Sequence, residues 1–212
     1  MRRVIVVSPH PDDESVGCGG TICSHVADRD QVKVVFLSSG ELGGHGEDPS
    51  ITGPRREAEA AAALAVLGVT DHEFWRLPDA GIRASARTVA RVQRVFAEYR
   101  PDIVYVPHDR EQHRDHAAAA RVVRRALDDD HAHAREPTPK VLGFEVWTPL
   151  ESMDEIVDVS EFIDQKLLAI RQYESQCRVL PFDAAFLGLA RYRGEMHSWP
   201  GGPYAEVFKR LR

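Results

Sequence analysis

Long apolar runs are absent from this sequence of 212 residues, and its three cysteines show no paired CxxC spacing. Apolar runs such as residues 4–7 and 34–37 are strand-sized, far below the ~18 residues of a membrane-spanning helix. The first run follows Arg2 and Arg3 but ends without a small-residue cleavage site, so it does not predict a signal peptide. We therefore expect a cytoplasmic protein with free thiols and no membrane span.

An excess of positive charge is also absent. Lys and Arg together number 27 against 33 Asp and Glu, which gives a formal net charge of −6. Because non-specific binding to nucleic acids depends on Lys and Arg that neutralise phosphates, this composition argues against a nucleic-acid partner. The length is typical of one globular domain, so we expect residues 1–212 to form a single domain. The ten histidines among these acidic residues are a supply of nitrogen and oxygen ligands for a metal site.

Short β-branched runs alternate along the chain with segments of helical periodicity. This order predicts an α/β, Rossmann-like fold with a mostly parallel central sheet. The predicted strands are residues 3–7, 32–37, 73–77, 103–106, 141–147 and 205–208. The predicted helices are residues 15–27, 55–67, 85–99, 115–127 and 161–176. A glycine-rich loop is predicted for residues 40–53, a solvated connection for 128–139 and a turn for 191–194.

The residues that indicate chemistry begin directly after the first predicted strand, with Pro9-His10-Pro11-Asp12-Asp13-Glu14. The carboxyl ends of the strands are where ligands bind in an open parallel sheet. One imidazole and three carboxylates lie within five positions, and the carboxylates repel one another unless a cation or hydrogen-bond donors neutralise them. A plain turn has no need for so much like charge, so this segment predicts a metal or catalytic site.

A second cluster, His113-Arg114-Asp115-His116, follows the fourth predicted strand. In the usual doubly wound order the first and fourth strands are neighbours, so both clusters meet at one crevice. One imidazole from each cluster and one carboxylate give a set of two His and one Asp with an open position, as in a catalytic zinc site. Such a set is not selective, so Fe²⁺ or another divalent ion also fits.

The two clusters together resemble the motifs of the PIG-L/LmbE-like metal-dependent N-deacetylases. Shorter similarities are at residues 39–41, 56–59, 77–81, 166–176 and 205–208. The resemblance implies a zinc-dependent hydrolase that removes the N-acetyl group from an N-acetylglucosamine-type sugar or conjugate. It also implies a small-molecule amino-sugar substrate, and homo-oligomers occur in the family.

The resemblance implies roles for individual residues. The implied metal ligands are His10, Asp13 and His116. Asp12 is the implied general base, because a carboxylate that does not ligate the metal is free to accept a proton from the metal-activated water. His113 resembles the residue that stabilises the oxyanion as an imidazolium, with Asp115 placed to hold its tautomer and raise its pKa. Either Asp12 or His113 protonates the leaving amine.

Substrate contacts and departures from the family pattern involve four further residues. Arg56 and Asp79 match family positions that contact sugar hydroxyls. Arg114 stands where proline is frequent, and its side chain points either into the cavity or to solvent. Glu111 stands where some relatives carry a tyrosine that assists catalysis, so that assistance is expected to be missing here.

Two alternative functions use parts of the same sequence. Gly17-Cys18-Gly19-Gly20 partly matches a dinucleotide-binding fingerprint, but Ile22 stands where that fingerprint requires a glycine. We expect these glycines instead to let the helix pack close to the sheet. The other alternative is a metal-dependent amidase that acts on a non-sugar amide with the same site and a different pocket.

Overall fold

The computed structural model describes residues 1–128 and 138–212, so most of the predicted connection at 128–139 lies outside the described residues. The described strands are β1 (Arg3–Ser8), β2 (Gln31–Ser38), β3 (Asp71–Leu77), β4 (Ile103–Pro107), β5 (Lys140–Phe144), β6 (Glu155–Asp158) and β7 (Ala205–Arg210). The described α-helices are α1 (Asp13–Ala27), α2 (Pro49–Leu67), α3 (Ala86–Tyr99), α4 (Arg114–Asp128), α5 (Ile163–Ile170), α6 (Glu174–Cys177) and α7 (Phe182–His197).

The strands form one sheet in the order β3-β2-β1-β4-β5-β7-β6. The first five strands pair in parallel, and β7 lies antiparallel between β5 and β6. Apolar side chains of β1 are buried on both faces of the sheet, because helices cover each side. The predicted α/β fold with a mostly parallel sheet is confirmed, and β1 and β4 are neighbours as expected.

Helix α2 begins earlier than the sequence pattern indicates. Its first residue is Pro49, so the predicted loop at 40–53 ends at Asp48. The Asp48 side chain accepts a hydrogen bond from the amide of Ser50 and caps the helix. Pro54 lies inside the helix, and Gly68, with φ of 80°, follows Leu67 and ends it.

The C-terminal region differs most from expectation. The predicted turn at 191–194 is wrong, because these residues lie within α7. Phe186 and Ala190 of this helix are buried in the core, and Arg193 is buried in an ion pair with Glu145. The predicted helix at 161–176 is divided into a 3-10 turn and two shorter helices.

Helix α1 lies close to the sheet because it is rich in glycine. A Cβ atom at Gly17 would overlap the ring of Phe144, and one at Gly20 would overlap Val159. These glycines therefore permit close packing, as predicted. The helix begins at Asp13 directly after β1, which places its acidic first turn at the carboxyl edge of the sheet. Among the described helices, none is both long and apolar enough to cross a membrane.

Candidate metal and active site

The ends of β1 and β4 bring the two clusters of the sequence together. His10 lies in the short connection between β1 and α1, and His116 lies in the first turn of α4. The ring centroids of His10 and His116 are 5.3 Å apart, and His113 lies 5.0 Å from His10 and 4.8 Å from His116. His10 and His116 are buried, whereas His113 is half-buried and faces a cavity.

Three polar groups form a small triangle at the centre of this crevice. His10 Nδ1 lies 3.2 Å from Asp13 Oδ2. His116 Nε2 lies 3.3 Å from Asp13 Oδ1 and 3.3 Å from His10 Nδ1. Two nitrogen or oxygen ligands bound at about 2.1 Å to a tetrahedral zinc ion are about 3.4 Å apart. The spacing of these side chains therefore fits a single tetrahedral ion.

The second nitrogen of the His10 ring lies close to two more carboxylates. His10 Nε2 lies 3.1 Å from Asp79 Oδ1 and 3.4 Å from Asp115 Oδ2. Two further sets of described side chains lie close enough to hold an ion, namely His10, His113 and His116, and His10, Asp79 and Asp115. His10 Nε2 and both oxygens of Asp115 are buried without a hydrogen-bond partner among the described residues. Unpaired buried groups of this kind fit a site that takes a cation.

The charges around His10 favour a positive ion at this position. Burial acts to lower the pKa of His10, but its contacts with Asp115, Asp13 and Asp79 hold the pKa well above its usual value. Burial acts to raise the pKa of Asp13, yet His116 and His10 hold that carboxyl well below its usual range. The crevice therefore stabilises carboxylates around a positive centre, which is the electrostatic requirement of a metal site.

Asp12 adopts a strained backbone conformation next to the triangle. Its φ is 130°, a value that costs a residue other than glycine of order 1–3 kcal/mol. The Asp12 Oδ2 atom lies 2.8 Å from Arg56 Nη2. Burial raises the pKa of Asp12 to about 7, against the opposing effect of the Arg56 charge. A carboxyl group that titrates near neutrality is suited to accept and return a proton.

The guanidinium of Arg56 is largely occupied by protein groups. Besides Asp12, it donates to the carbonyl oxygens of Pro11 and Gly40, at 2.5 and 2.9 Å. Arg56 lines the cavity and is buried. Its hydrogen bonds hold the Asp12 segment against the end of β2. The side chain pairs with Asp12, and its expected contact with substrate stays a prediction.

Asp115 contacts two histidines of the crevice. Its carboxylate lies 3.4 Å from His10 Nε2. The charge of Asp115 acts to raise the pKa of His113, but burial and the nearby His10 and His116 outweigh it, so the pKa of His113 is lowered. Asp115 contacts His113 through its backbone amide, which donates to His113 Nδ1 at 3.3 Å. This bond leaves the His113 proton on Nε2.

Glu111 has a structural role that the sequence did not predict. Its buried carboxylate accepts hydrogen bonds from the amides of Val146, Trp147 and Thr148, at 2.7, 3.3 and 3.2 Å. Glu111 Oε2 also lies 3.8 Å from His116 Nδ1, a buried atom without a hydrogen-bond partner among the described residues. The sequence shows an acidic residue two positions before His113. The direction of its side chain, however, depends on hydrogen bonds to a segment 35 residues later.

The site opens into a cavity of about 270 Å³. Its floor contains His10, Asp12, Asp13, Arg56, Asp79 and His113. His45 also lines the cavity, from the segment between β2 and α2. Arg114 is exposed and is not among the lining residues, so this side chain points to solvent. The eight side chains that the sequence singled out as site residues therefore lie in or beside the crevice. Six of them are linked by the contacts above, whereas Asp12 and Arg56 pair with each other at the same cavity.

Comparison with known proteins gives consistent matches. Residues 5–127, more than half of the chain, match the PIG-L family profile, described as GlcNAc-PI de-N-acetylase. A 1D-myo-inositol 2-acetamido-2-deoxy-alpha-D-glucopyranoside deacetylase of Actinosynnema mirum is 32% identical over 84% of this chain and 81% of its own length. The Streptomyces avermitilis protein of the same name is 35% identical over 60% of this chain. The chain covers only about half the length of this and other curated relatives.

Solved structures share the whole fold. The conserved protein TT1542 from Thermus thermophilus matches all of the chain and 96% of its own, with a TM-score of 0.86 and 30% identity. The hydratase GalB from Pseudomonas putida KT2440 has a TM-score of 0.89 at 24% identity, covering 100% and 97% of the two chains. An N,N'-diacetylchitobiose deacetylase from Pyrococcus horikoshii has a TM-score of 0.85 at 22% identity, covering 99% and 84%. By the extent of the profile match and by its relatives, the chain belongs to the PIG-L family.

Proposed function

We propose that this protein is a zinc-dependent hydrolase that removes the N-acetyl group from an N-acetylglucosamine-type sugar or conjugate. The observation that carries the proposal is the triangle of His10 Nδ1, the Asp13 carboxylate and His116 Nε2, with Asp12 beside it at the floor of one cavity. Two imidazoles, one carboxylate and an open position are the donor set of many hydrolytic zinc sites. Residues 1–212 would form a single domain of the family.

The surroundings of the two His10 ring nitrogens favour binding of the ion through Nδ1. An imidazole can bind a metal through one nitrogen while the N–H of the other donates to a carboxylate. His10 Nδ1 is the nitrogen that faces Asp13 and His116, so binding through it would use all three corners of the triangle. His10 Nε2 would then face the carboxylates of Asp79 and Asp115, at 3.1 and 3.4 Å.

Asp12 is the proposed general base. A divalent metal held by His10, Asp13 and His116 would supply a Lewis acid, which would polarise the amide carbonyl and lower the pKa of a water molecule toward ~7. Arg56 occupies Asp12 Oδ2, so Oδ1 takes the proton of the attacking water. Since the pKa of Asp12 is about 7, the same carboxyl can return that proton to the leaving amine. Asp12 lines the cavity, and its backbone there has the strained φ of 130°.

His113 is the proposed stabiliser of the oxyanion. The amide of Asp115 holds His113 Nδ1 as an acceptor, so the Nε2–H group of a neutral ring is available as a donor. The lowered pKa of His113 favours that neutral form. A positioned donor at a developing oxyanion typically contributes about 10²–10³ in rate. Proton return to the amine then belongs to Asp12.

The amino-sugar assignment is supported by what relatives are named for. The curated relatives are named as deacetylases of a 2-acetamido-2-deoxy-glucopyranoside, and one fold neighbour is named as a deacetylase of diacetylchitobiose. A non-sugar amide would meet the same metal set and the same Asp12. The two activities therefore differ in substrate recognition and share their chemistry.

Metal analysis and product analysis test the proposal together. The purified protein should contain one zinc or other divalent ion per chain and should release acetate and free amine in equal amounts from N-acetylglucosamine conjugates. A chelator should abolish release, and added Zn²⁺ or Fe²⁺ should restore it. Stoichiometric metal without acetate release from any such conjugate would overturn the sugar deacetylase and favour the amidase on another amide.

A further inference from the structure

The mouth of the active-site cavity differs in character from its floor. The charged and imidazole side chains described above lie at the floor, around the triangle. Several large apolar side chains from three separate segments surround the opening, and we call them the apolar rim. The apolar rim consists of Leu42, Trp147, Val179, Leu180 and Phe182.

The apolar rim is exposed to a degree that its packing does not explain. Trp147 is 48% exposed, Leu42 58%, Val179 45% and Leu180 42%. Single exposed apolar residues are ordinary, but a concentration of them around one concave site marks a binding surface. Four of the eleven exposed large apolar side chains of the described residues lie at this one opening.

The rim is also held in place by buried contacts. The backbone amide of Trp147 donates to the buried carboxylate of Glu111, and its indole ring packs edge-to-face on Phe182 with centroids 5.8 Å apart. On the opposite side, the amide of Leu42 donates to Asp79 at 3.0 Å. Because Glu111 and Asp79 both lie beside the triangle, the apolar rim has a fixed position relative to the reacting centre.

We propose that the substrate carries an apolar aglycone, an alkyl, acyl-bearing or aryl group, that packs on the apolar rim while the acetamido group reaches the triangle. This inference rests on the proposed function. The rim and floor line one continuous cavity, so a protein or membrane seated on the rim would block the site. For hydrogen bonds to a polyol aglycone the mouth offers mainly the side chains of His45 and Gln176. The Gln176 amide already donates to the carbonyl of Gly43.

The aglycone is the part of the substrate that fits this position. The reacting amide must lie against the triangle at the floor, and the acetyl group is small. Side chains that are nearly half exposed lie at the mouth, where the part of the substrate farthest from the amide emerges. Each methylene group moved from water into apolar contact contributes about a factor of four in affinity.

Paired substrates give the sharpest test. The methyl and hexyl glycosides of N-acetylglucosamine, as both anomers, should be compared by kcat/KM with the metal-loaded protein. Five fully buried methylenes would contribute roughly a thousand-fold. Because the rim side chains are about half exposed, we expect the hexyl group to be about half buried and the hexyl glycoside to be favoured by about thirty-fold, mainly through KM. Trp147→Ala should reduce this ratio to about five or less. The ratio cancels any change in activity common to both substrates.

A matched control uses another exposed tryptophan. Trp199 is 90% exposed and does not line the cavity, so Trp199→Ala should retain the thirty-fold ratio. Leu180→Ser serves as a second rim variant and should also lower the ratio. Equal kcat/KM for methyl and hexyl glycosides, or a ratio that Trp147→Ala leaves intact, overturns the inference while the deacetylase stands.

Two further measurements separate this inference from the proposed function. Hexyl glucoside, which has no acetamide, should bind the protein in calorimetry more tightly than methyl glucoside, and Trp147→Ala should remove the difference. If that holds but no N-acetylglucosaminide is hydrolysed, the rim site stands and the deacetylase falls. If instead N-hexanoylglucosamine methyl glycoside is preferred over the N-acetyl compound through Trp147, the rim serves the acyl group and the inference is overturned.

Discussion

Replacement of Asp12 by asparagine separates the chemistry of the site from its architecture. Asparagine keeps an oxygen that can accept the hydrogen bond of Arg56 Nη2, now at 2.8 Å from Asp12 Oδ2. Among residues other than glycine, asparagine is also one that adopts positive φ most readily, and Asp12 has φ of 130°. The substitution therefore removes the proton acceptor and disturbs little else.

The expected loss of activity is that of a general base. Asp12→Asn should lower kcat by about 10²–10⁴-fold, because an amide cannot take the proton of the attacking water. The triangle of His10, Asp13 and His116 does not include Asp12, so the metal content should remain at one ion per chain. Initial rates of acetate release and elemental analysis on the same preparation measure both quantities.

Asp12→Ala provides the contrast. It should lose activity to the same extent, but it also leaves the buried Arg56 guanidinium without its carboxylate. Removing one partner of a buried ion pair costs about 3–5 kcal/mol, and the lower figure applies because Asp12 has a pKa of about 7. About 3 kcal/mol corresponds to roughly 6–12 °C in Tm for a domain of this size. Activity of Asp12→Asn within tenfold of wild type would refute the base assignment.

Three other substitutions test separate parts of the structure. His116→Ala should lose stoichiometric metal, because it removes one corner of the triangle, and full metal content in this variant would exclude His116 as a ligand. Glu111→Gln keeps an acceptor for the amides of Val146 and Thr148 but loses the negative charge facing His116 Nδ1. Chelator competition should show metal affinity reduced by about 10–100-fold, and unchanged affinity would leave Glu111 as an anchor of the loop alone. His25 lies far from the site, and burial lowers its pKa below the usual 6.5. The folded protein therefore takes up this proton less readily than the unfolded chain, and stability should fall as the pH drops below about 6.5. His25→Gln should show a smaller loss of Tm between pH 7.5 and 5.5 than wild type, and an equal loss would contradict this reasoning.

The first five strands and the helices between them follow from the sequence because local and tertiary requirements agree there. The apolar runs of β1, β2 and β4 are buried on both faces of the parallel sheet, and the capping residues Ser85 and Gly68 stand where helices begin and end. Helix α7 escapes this logic. Few of its residues are buried, and the burial of Arg193 against Glu145 depends on a partner 48 residues away. The local periodicity of the sequence does not predict a contact between residues so far apart.

The site shows the same division between position and direction. Adjacent strand ends bring His10 and His116 together, and the motif spacing predicts that much. The directions of the Asp115, Arg56 and Glu111 side chains were not predictable from spacing. Each depends on which buried group lies opposite, namely His10, Asp12 and the amides of residues 146–148. A motif places residues on an element, whereas their partners are set by how elements approach one another in the folded chain.

The fold alone does not select the reaction. A hydratase and a deacetylase have TM-scores of 0.89 and 0.85 to this chain, so proteins named for different reactions share this fold. Hydration and amide hydrolysis both begin with a base that takes a proton from water. They diverge afterwards, because hydrolysis must expel an amine and needs an acid at nitrogen, whereas hydration delivers the proton to carbon and releases nothing. Loss of activity in Asp12→Asn is common to both reactions. Release of acetate and amine in equal amounts is possible only for hydrolysis, and this product balance therefore decides the chemistry that the shared scaffold leaves undetermined.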